Sequence, residues 1–318
     1  MTDFWTKQRV LLTGAPGFLA RHIWNGLHPR LEMGNLYTVT HLYSDLRDAN
    51  TIRDELHKYD RYPTLVIHCA GNVGGIGKNR ALPAELVYDN LLMNTHVLHE
   101  AYLAGVQKFI GIGSVCAYPK HTPTPFREYN LFNGYPEETN APYGITKRAL
   151  LVMGQAYRAQ YGFNAIHLLL ANLYGPGDHV DLQNAHVIPA IIRKMSEAQQ
   201  RGEKHVTLWG SGDATREFLY VEDAAQAILR AAEVYDSPEP INIGTGQSVS
   251  IRHLAQMIAE IVGYTGGILW DTDMPDGQPK RELDVRRAAL ELGWHATTEL
   301  RDGLQKTVAW YQREVVNA

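Results

Sequence analysis

Gln8, Arg9, Val10, Leu11 and Leu12 form a short apolar run that enters Thr13-Gly14-Ala15-Pro16-Gly17-Phe18-Leu19-Ala20. Phe18, Leu19, Ile23, Trp24 and Leu27 then recur at helical spacing. The order is strand, tight glycine turn, helix. The spacing G-x-x-G-x-x-A gives each small residue a task. Gly14 makes the turn, Gly17 lets the backbone approach a pyrophosphate at the helix N-terminus, and Ala20 permits close packing of helix on strand. An ordinary strand-to-helix turn is the competing interpretation. Its place directly after the first strand favours the dinucleotide-binding one.

Residues 36–40 predict a second strand. Its end, Thr38-Val39-Thr40-His41, is neither acidic nor rich in arginine, and the nearby cations are Arg21, His41 and Arg47. NAD and NADP therefore both remain admissible. Residues 65–70 predict a third, buried strand, which runs into Gly71-Asn72-Val73-Gly74-Gly75-Ile76. Cys69 in that strand reads as a small core residue. Residues 84–102 predict a helix, with Leu86, Leu92, Val97, Leu98 and Ala101 apolar. Strands alternating with helices predict an α/β fold built on a doubly wound parallel Rossmann sheet. A chain of 318 residues has room for a second core. Residues 1–172 are expected to form the cofactor domain, with 217–246 returning to it, and 173–318 a smaller α/β substrate domain.

The net charge of -4 gives no nucleic-acid or membrane footprint. The sequence has no apolar run of transmembrane length and no signal peptide. With only Cys69 and Cys116, no disulfide framework is expected, and a reducing, cytoplasmic setting fits. The 14 histidines are scattered without paired spacing, so no metal site is expected.

Residues 108–112 predict a buried strand leading to Gly113 and Ser114. Some distance on, the chain reads Tyr143-Gly144-Ile145-Thr146-Lys147 in a segment expected to turn helical after Pro142. Four residues is one helical turn, so the phenol and the ammonium share a face. A lysine beside a phenol favours the phenolate, so the Tyr143 hydroxyl is expected to titrate below its ordinary value. Tyr143 then suits proton donation and acceptance. Ser114 can hold the oxygen that Tyr143 protonates, and Cys116 adds a second ionisable group. Such a tyrosine–lysine pair alone is common on surfaces; the glycine turn upstream gives it weight.

The later chain supplies candidates for a second ligand. Gly175-Pro176-Gly177-Asp178-His179 reads as a loop at the mouth of the sheet, after an apolar strand at 167–171. His186 precedes a helix at 188–199 and either serves the site or caps that helix. Residues 206–209 and 216–221 predict strands. Trp209 suits a purine or sugar ring and equally a core position, while Arg216 suits a diphosphate. Glu222 and Asp223 open a helix, residues 241–246 form a late strand and turn, and Ser250 caps a helix reaching Val262. Asp276, Lys280 and Arg281 lie in a Pro/Gly-rich loop.

Together these motifs resemble the extended short-chain dehydrogenase/reductases. Several stretches are more specific: Val73-Gly74-Gly75-Ile76, Gly113-Ser114-x-Cys116-x-Tyr118-Pro119-Lys120, Asn172-Leu173-Tyr174-Gly175-Pro176, Asn184-x-His186-Val187-Ile188-Pro189-Ala190, Trp209-Gly210-x-Gly212, Arg216-Glu217-Phe218 and Pro275-Asp276-Gly277-x-Pro279. In this order they are similar to the GDP-L-fucose synthases, from about Arg9 to about Trp310. The resemblance implies NADPH-dependent conversion of GDP-4-keto-6-deoxy-D-mannose to GDP-L-fucose, by epimerisation at C3 and C5 and reduction at C4. It implies catalytic roles for Ser114, Cys116 (base), Tyr143, Lys147 and His186 (acid). It implies cofactor contacts along Gly14, Ala15, Pro16, Gly17, Phe18, Leu19 and Ala20. Further cofactor contacts are implied at His41, Leu46, Ile112, Gly113, Lys147, Leu170, Asn172, Leu173 and His186. Val187, Lys194, Trp209, Arg216, Asp276, Lys280 and Arg281 are implied to hold the GDP-sugar.

Three departures qualify the match. Pro16 stands where members often have arginine or another small residue, no arginine stands near His41 where some have one, and Lys194 replaces a common arginine. NADP is still implied, with NAD admissible. A 4-epimerase with tightly held NAD, a reductase or epimerase for another GDP-4-keto sugar such as a heptose, and a non-catalytic dinucleotide sensor are the rivals. A homodimer pairing the helices at 84–102 and 143–161 is expected, since both carry more apolar residues than one buried face needs.

Overall fold

In the computed structural model, residues 4–40, 43–58, 62–181, 185–274 and 276–316 are described. Four-residue strands β1 (Val10–Thr13), β2 (Leu36–Val39) and β3 (Leu65–His68) alternate with helices α1 (Phe18–Leu27) and α2 (Ala49–His57). Every residue of β1 and β3 is buried, as central parallel strands covered on both faces require. The chain continues through α3 (Ile76–Ala81), α4 (Pro83–Leu103), β4 (Lys108–Ser114), α5 (Ala141–Tyr161) and β5 (Asn164–Leu170). Helix α5 starts at Ala141, before Pro142 rather than after it, because proline is tolerated in a first turn, where its missing N–H has no partner to lose.

Past β5 the chain forms β6 (Asn172–Tyr174), α6 (Val187–Arg201), β7 (His205–Trp209), β8 (Thr215–Tyr220), α7 (Val221–Val234) and β9 (Ile241–Ile243). It ends with β10 (Ser248–Ser250), α8 (Ile251–Val262), β11 (Gly267–Asp271) and α9 (Leu300–Tyr311). The main sheet has six strands in the order β2-β1-β3-β4-β5-β9, all parallel. One face is covered by α1 and α7, through Ile23, Leu27, Ile228 and Leu229. The other is covered by α2, α4 and α5, through Ile52, Leu56, Leu98 and Leu150. This is the doubly wound parallel fold that the alternation predicts. No helix among the described residues is long and apolar enough to cross a membrane.

A separate core lies beneath β6-β8-β10 and the parallel pair β7–β11. Ile188, Ile191, Ile192 and Met195 of α6 supply it at i, i+3, i+4 and i+7, an amphipathic stripe. Leu254 and Ile258 of α8 and Leu304 and Val308 of α9 complete it. The Ser250 side chain accepts from the His253 N–H at 3.2 Å and so caps α8.

Glu217 on β8 joins these parts. Its carboxylate is 1% exposed and accepts backbone N–H bonds from Thr245 (2.6 Å), Gly246 (3.0 Å) and Leu283 (2.6 Å). Burial raises its pKa while the three amides pull the other way. The turn after β9 and the segment after β11 thus share one acceptor group. Each amide left unpaired in that interior costs about 1–3 kcal/mol. Glu217→Ala is therefore expected to lose roughly 3 kcal/mol or more of unfolding free energy in urea; a loss below about 1 kcal/mol would show that water replaces the carboxylate freely.

Candidate active site

The glycine turn behaves as its spacing predicts. Gly14 has φ +82°, and a Cβ there would lie 2.7 Å from the Ala70 backbone N. A Cβ on Gly17 would lie 2.6 Å from the Gly14 carbonyl. Gly17 is the N-cap of α1 and offers no side-chain cap, so the amides of the first turn have no side-chain acceptor there. Pro16, Gly17, Phe18, Leu19 and Ala20 line that cleft; Ala15 does not. This cradle fits the diphosphate of a nicotinamide dinucleotide.

The cleft has a volume of about 1320 Å³ and runs from this turn to Trp209 and Asp276. A drug-sized ligand needs roughly 300–1,000 Å³, so there is room for two ligands. Leu46, Ile112, Gly113, Leu170, Asn172, Leu173, His186, Val187 and Lys194 line it. His41 lies outside the described residues.

The catalytic candidates meet because a glycine lets α5 touch the end of β4. A Cβ on Gly144 would stand 2.5 Å from the Cys116 carbonyl oxygen. Arg148 fixes the same approach by donating to the Ala117 carbonyl at 2.6 Å and the Gly134 carbonyl at 2.8 Å. Ser114, Cys116, Tyr143 and Lys147 all line the cleft as a result. The Ser114 hydroxyl accepts from the Cys116 N–H at 3.2 Å, which turns the chain at the strand end. The Lys147 ammonium stands 5.4 Å from the centre of the Tyr143 ring.

One expectation is corrected. Lys147 was expected to lower the Tyr143 pKa. Burial instead pushes the Tyr143 hydroxyl above the ordinary phenol range, with the Cys116 sulfur acting in the same direction. Burial also drives Lys147 down to about 8. Desolvation of both groups outweighs their mutual effect. The protonated phenol is thus the favoured form, suited to donating a proton.

His186 occupies the N-cap position of α6, but its side chain makes no capping bond, so the capping interpretation fails. Its Nδ1 lies 4.0 Å from a carboxylate oxygen of buried Asp178. Asp178 also lines the cleft, and sequence reasoning placed it only in a mouth loop. Trp209 is 48% exposed and lines the cleft, so it is not a core residue. Arg216 lines the cleft and donates to the Asp276 carbonyl at 2.8 Å. Burial and the neighbouring Arg281 push its pKa down to about 10. Lys194 donates to the Thr207 carbonyl at 2.9 Å. Lys280 does not line the cleft and pairs with Glu282 at 3.2 Å. Arg281 reaches the cleft, where its Nη1 donates to the Cys116 sulfur. Arg47 lines the far end and is engaged by Asp45 (2.8 Å) and Asp89 (3.1 Å).

Comparison with known proteins agrees with this geometry. Residues 10–244 match the NAD dependent epimerase/dehydratase family. GDP-L-fucose synthase 1 of Arabidopsis thaliana is 42% identical over 97% of this chain and 94% of its own length. A GDP-L-fucose synthetase from Naegleria fowleri, solved with NADP bound, superposes with a TM-score of 0.87 at 28% identity, covering 98% of this chain and 96% of that one. A GDP-6-OMe-4-keto-L-xylo-heptose reductase from C. jejuni superposes with a TM-score of 0.89 at 28% identity, over 96% and 97% of the two chains. With its cradle, its tyrosine–lysine pair and this degree of likeness, the chain belongs to the NAD dependent epimerase/dehydratase family, and within it to the GDP-L-fucose synthases.

Proposed function

We propose that the protein converts GDP-4-keto-6-deoxy-D-mannose to GDP-L-fucose, inverting C3 and C5 and then reducing the C4 ketone. The observation that carries this reading is the convergence of a thiol and an imidazole on the same cleft as the Ser–Tyr–Lys set. Ketone reduction alone needs only Ser114, Tyr143 and Lys147. Cys116 and His186, on different elements, supply the base and the acid that stereochemical inversion needs.

The C4 ketone acidifies the hydrogens at C3 and C5, because the resulting carbanion is an enolate. Cys116 takes the proton, and His186 returns one to the other face of the ring. Ser114 and Tyr143 hold the C4 oxygen while it carries negative charge. NADPH, when bound, supplies the hydride to C4. Tyr143 then donates its proton to the C4 oxygen, the role to which its raised pKa suits it. Lys147 holds the nicotinamide ribose. Trp209, Lys194, Arg216 and Asp276 hold the GDP moiety. The division into a cofactor domain (1–172 with 217–246) and a substrate domain (173–318) belongs to the same proposal, as does a cytoplasmic setting for two free thiols.

NADPH is favoured over NADH by a modest margin in this reading, since Pro16 offers no cation and Arg47 is already engaged by two carboxylates. The heptose reductases are the nearest rival. The simultaneous presence of Cys116 and His186 weighs against a reductase that inverts nothing.

The test is incubation with GDP-4-keto-6-deoxy-D-mannose in heavy water, with and without NADPH or NADH. Cys116→Ser is expected to lose exchange at C3 and C5 by about 10²-fold or more, as removal of a general base does. His186→Asn is expected to deprotonate partly and reprotonate poorly. Tyr143→Phe is expected chiefly to stop nicotinamide oxidation. Undiminished exchange in Cys116→Ser would make Cys116 a packing residue and the protein a simple 4-keto-sugar reductase.

The same reading includes a homodimer through α4 and α5, where Tyr88, Leu103, Val152 and Tyr161 are exposed. Light scattering at micromolar concentration is expected to give twice the 35.7 kDa chain mass; the monomer mass would remove the dimer from it.

A further inference from the structure

A thiol serves as a base only as thiolate, and the ordinary cysteine pKa leaves little of that form at neutral pH. Cys116 therefore needs a cation. The structure supplies one from a distant segment: the Arg281 Nη1 donates to the Cys116 Sγ at 3.2 Å. Arg281 is 6% exposed and takes part in no ion pair among the described residues, so no carboxylate competes with the sulfur for it. Arg216 of β8 adds a second positive charge that senses the Cys116 sulfur. The Tyr143 phenol of α5 also senses the sulfur, and the Ser114 hydroxyl accepts from the Cys116 backbone N–H.

The guanidinium is held in place by a residue that touches nothing reactive. Gln278 is 2% exposed. Its amide nitrogen donates to the Pro119 carbonyl at 3.1 Å and the Lys120 carbonyl at 2.9 Å, and its amide oxygen accepts from the Arg281 Nε at 2.9 Å. Two carbonyls on one side and a guanidinium on the other fix the amide orientation, since a flipped amide would set oxygen against both carbonyls. Pro119 and Lys120 follow closely on Cys116, so one buried glutamine ties the thiol's own segment to the arginine that reaches it. The Arg281 backbone is pinned as well, its N–H donating to the Thr215 carbonyl at 3.1 Å.

We propose that Arg281, locked by Gln278, is the positioning residue that keeps Cys116 ionised for proton abstraction. The C–H bond at C3 or C5 breaks, the S–H bond forms, the C–H electron pair becomes a C=C bond to C4, and the carbonyl π pair moves onto the C4 oxygen. As the sulfur becomes neutral, the guanidinium charge is left facing a site where negative charge now sits on the enolate. This inference rests on the epimerase reading for its purpose, while its physical core does not require a substrate.

The test is the pH dependence of iodoacetamide alkylation at Cys116, read by mass spectrometry. Burial pushes Cys69 up to about 12, which keeps the other thiol out of the titration window. Arg281→Met and Gln278→Leu are each expected to raise the Cys116 midpoint by about one unit or more, a tenfold fall in thiolate at neutral pH. Arg281→Lys is expected to recover most of it. Deuterium exchange into the 4-keto sugar should fall by the same factor at neutral pH and return at alkaline pH. A role confined to holding the loop would change KM and thermal stability without moving the thiol midpoint. An unmoved midpoint in both folded variants overturns the proposal. A moved midpoint in a protein whose parent exchanges no deuterium supports the pair and overturns the epimerase reading instead.

Discussion

The Glu217 carboxylate holds together segments that are far apart in the sequence. The turn after β9 and the segment around Leu283 approach β8 because each has a backbone amide that the carboxylate accepts. Burying a carboxylate is unfavourable, and burial does raise its pKa. Three amides with no other acceptor among the described residues offset that cost. The adjacent residue on the strand, Arg216, points to the opposite side, as alternation requires. One short strand thereby carries an anion that anchors the segment beyond β11 and a cation that faces the cleft. Arg281, two residues before Leu283, inherits its position from the same anchor.

Around the reactive groups the charge is mostly positive. Lys147, Arg216 and Arg281 all reach the cleft, and burial lowers the pKa of the first two. Such a field suits a nucleotide diphosphate and an oxyanion on the sugar. The Tyr143 phenol, held protonated by burial, complements it as a proton donor. The wall carrying these groups depends on Gly144, where any side chain would strike the Cys116 carbonyl and push α5 away from β4.

Local features were legible in the sequence. The glycine cradle, the parallel alternation and the Tyr143–Lys147 pair each depend on spacing within one element, and spacing is what a sequence displays. The Arg281–Cys116 contact was not legible, because the two residues are 165 positions apart and nothing local marks it. Gln278 went unnoticed for the same reason: its bonds run to Pro119 and Lys120. Asp178 stood in a glycine-rich loop whose approach to His186 depends on how α6 docks. The direction of the Tyr143 shift was misjudged because a one-turn pairing reports proximity but not burial, and burial is the larger effect. A signal for Gln278 and Arg281 did exist. Both fall in the Pro/Gly-rich loop that follows Asp276, beside motifs already matched to ligand binding.

Inversion at two carbons and reduction at a third, all in one cleft, leave an isotopic record. Complete turnover of GDP-4-keto-6-deoxy-D-mannose with NADPH in heavy water should give GDP-L-fucose with carbon-bound deuterium at both C3 and C5 and ordinary hydrogen at C4. A reduced product with no deuterium at C3 or C5 would contradict the dual role assigned to the site.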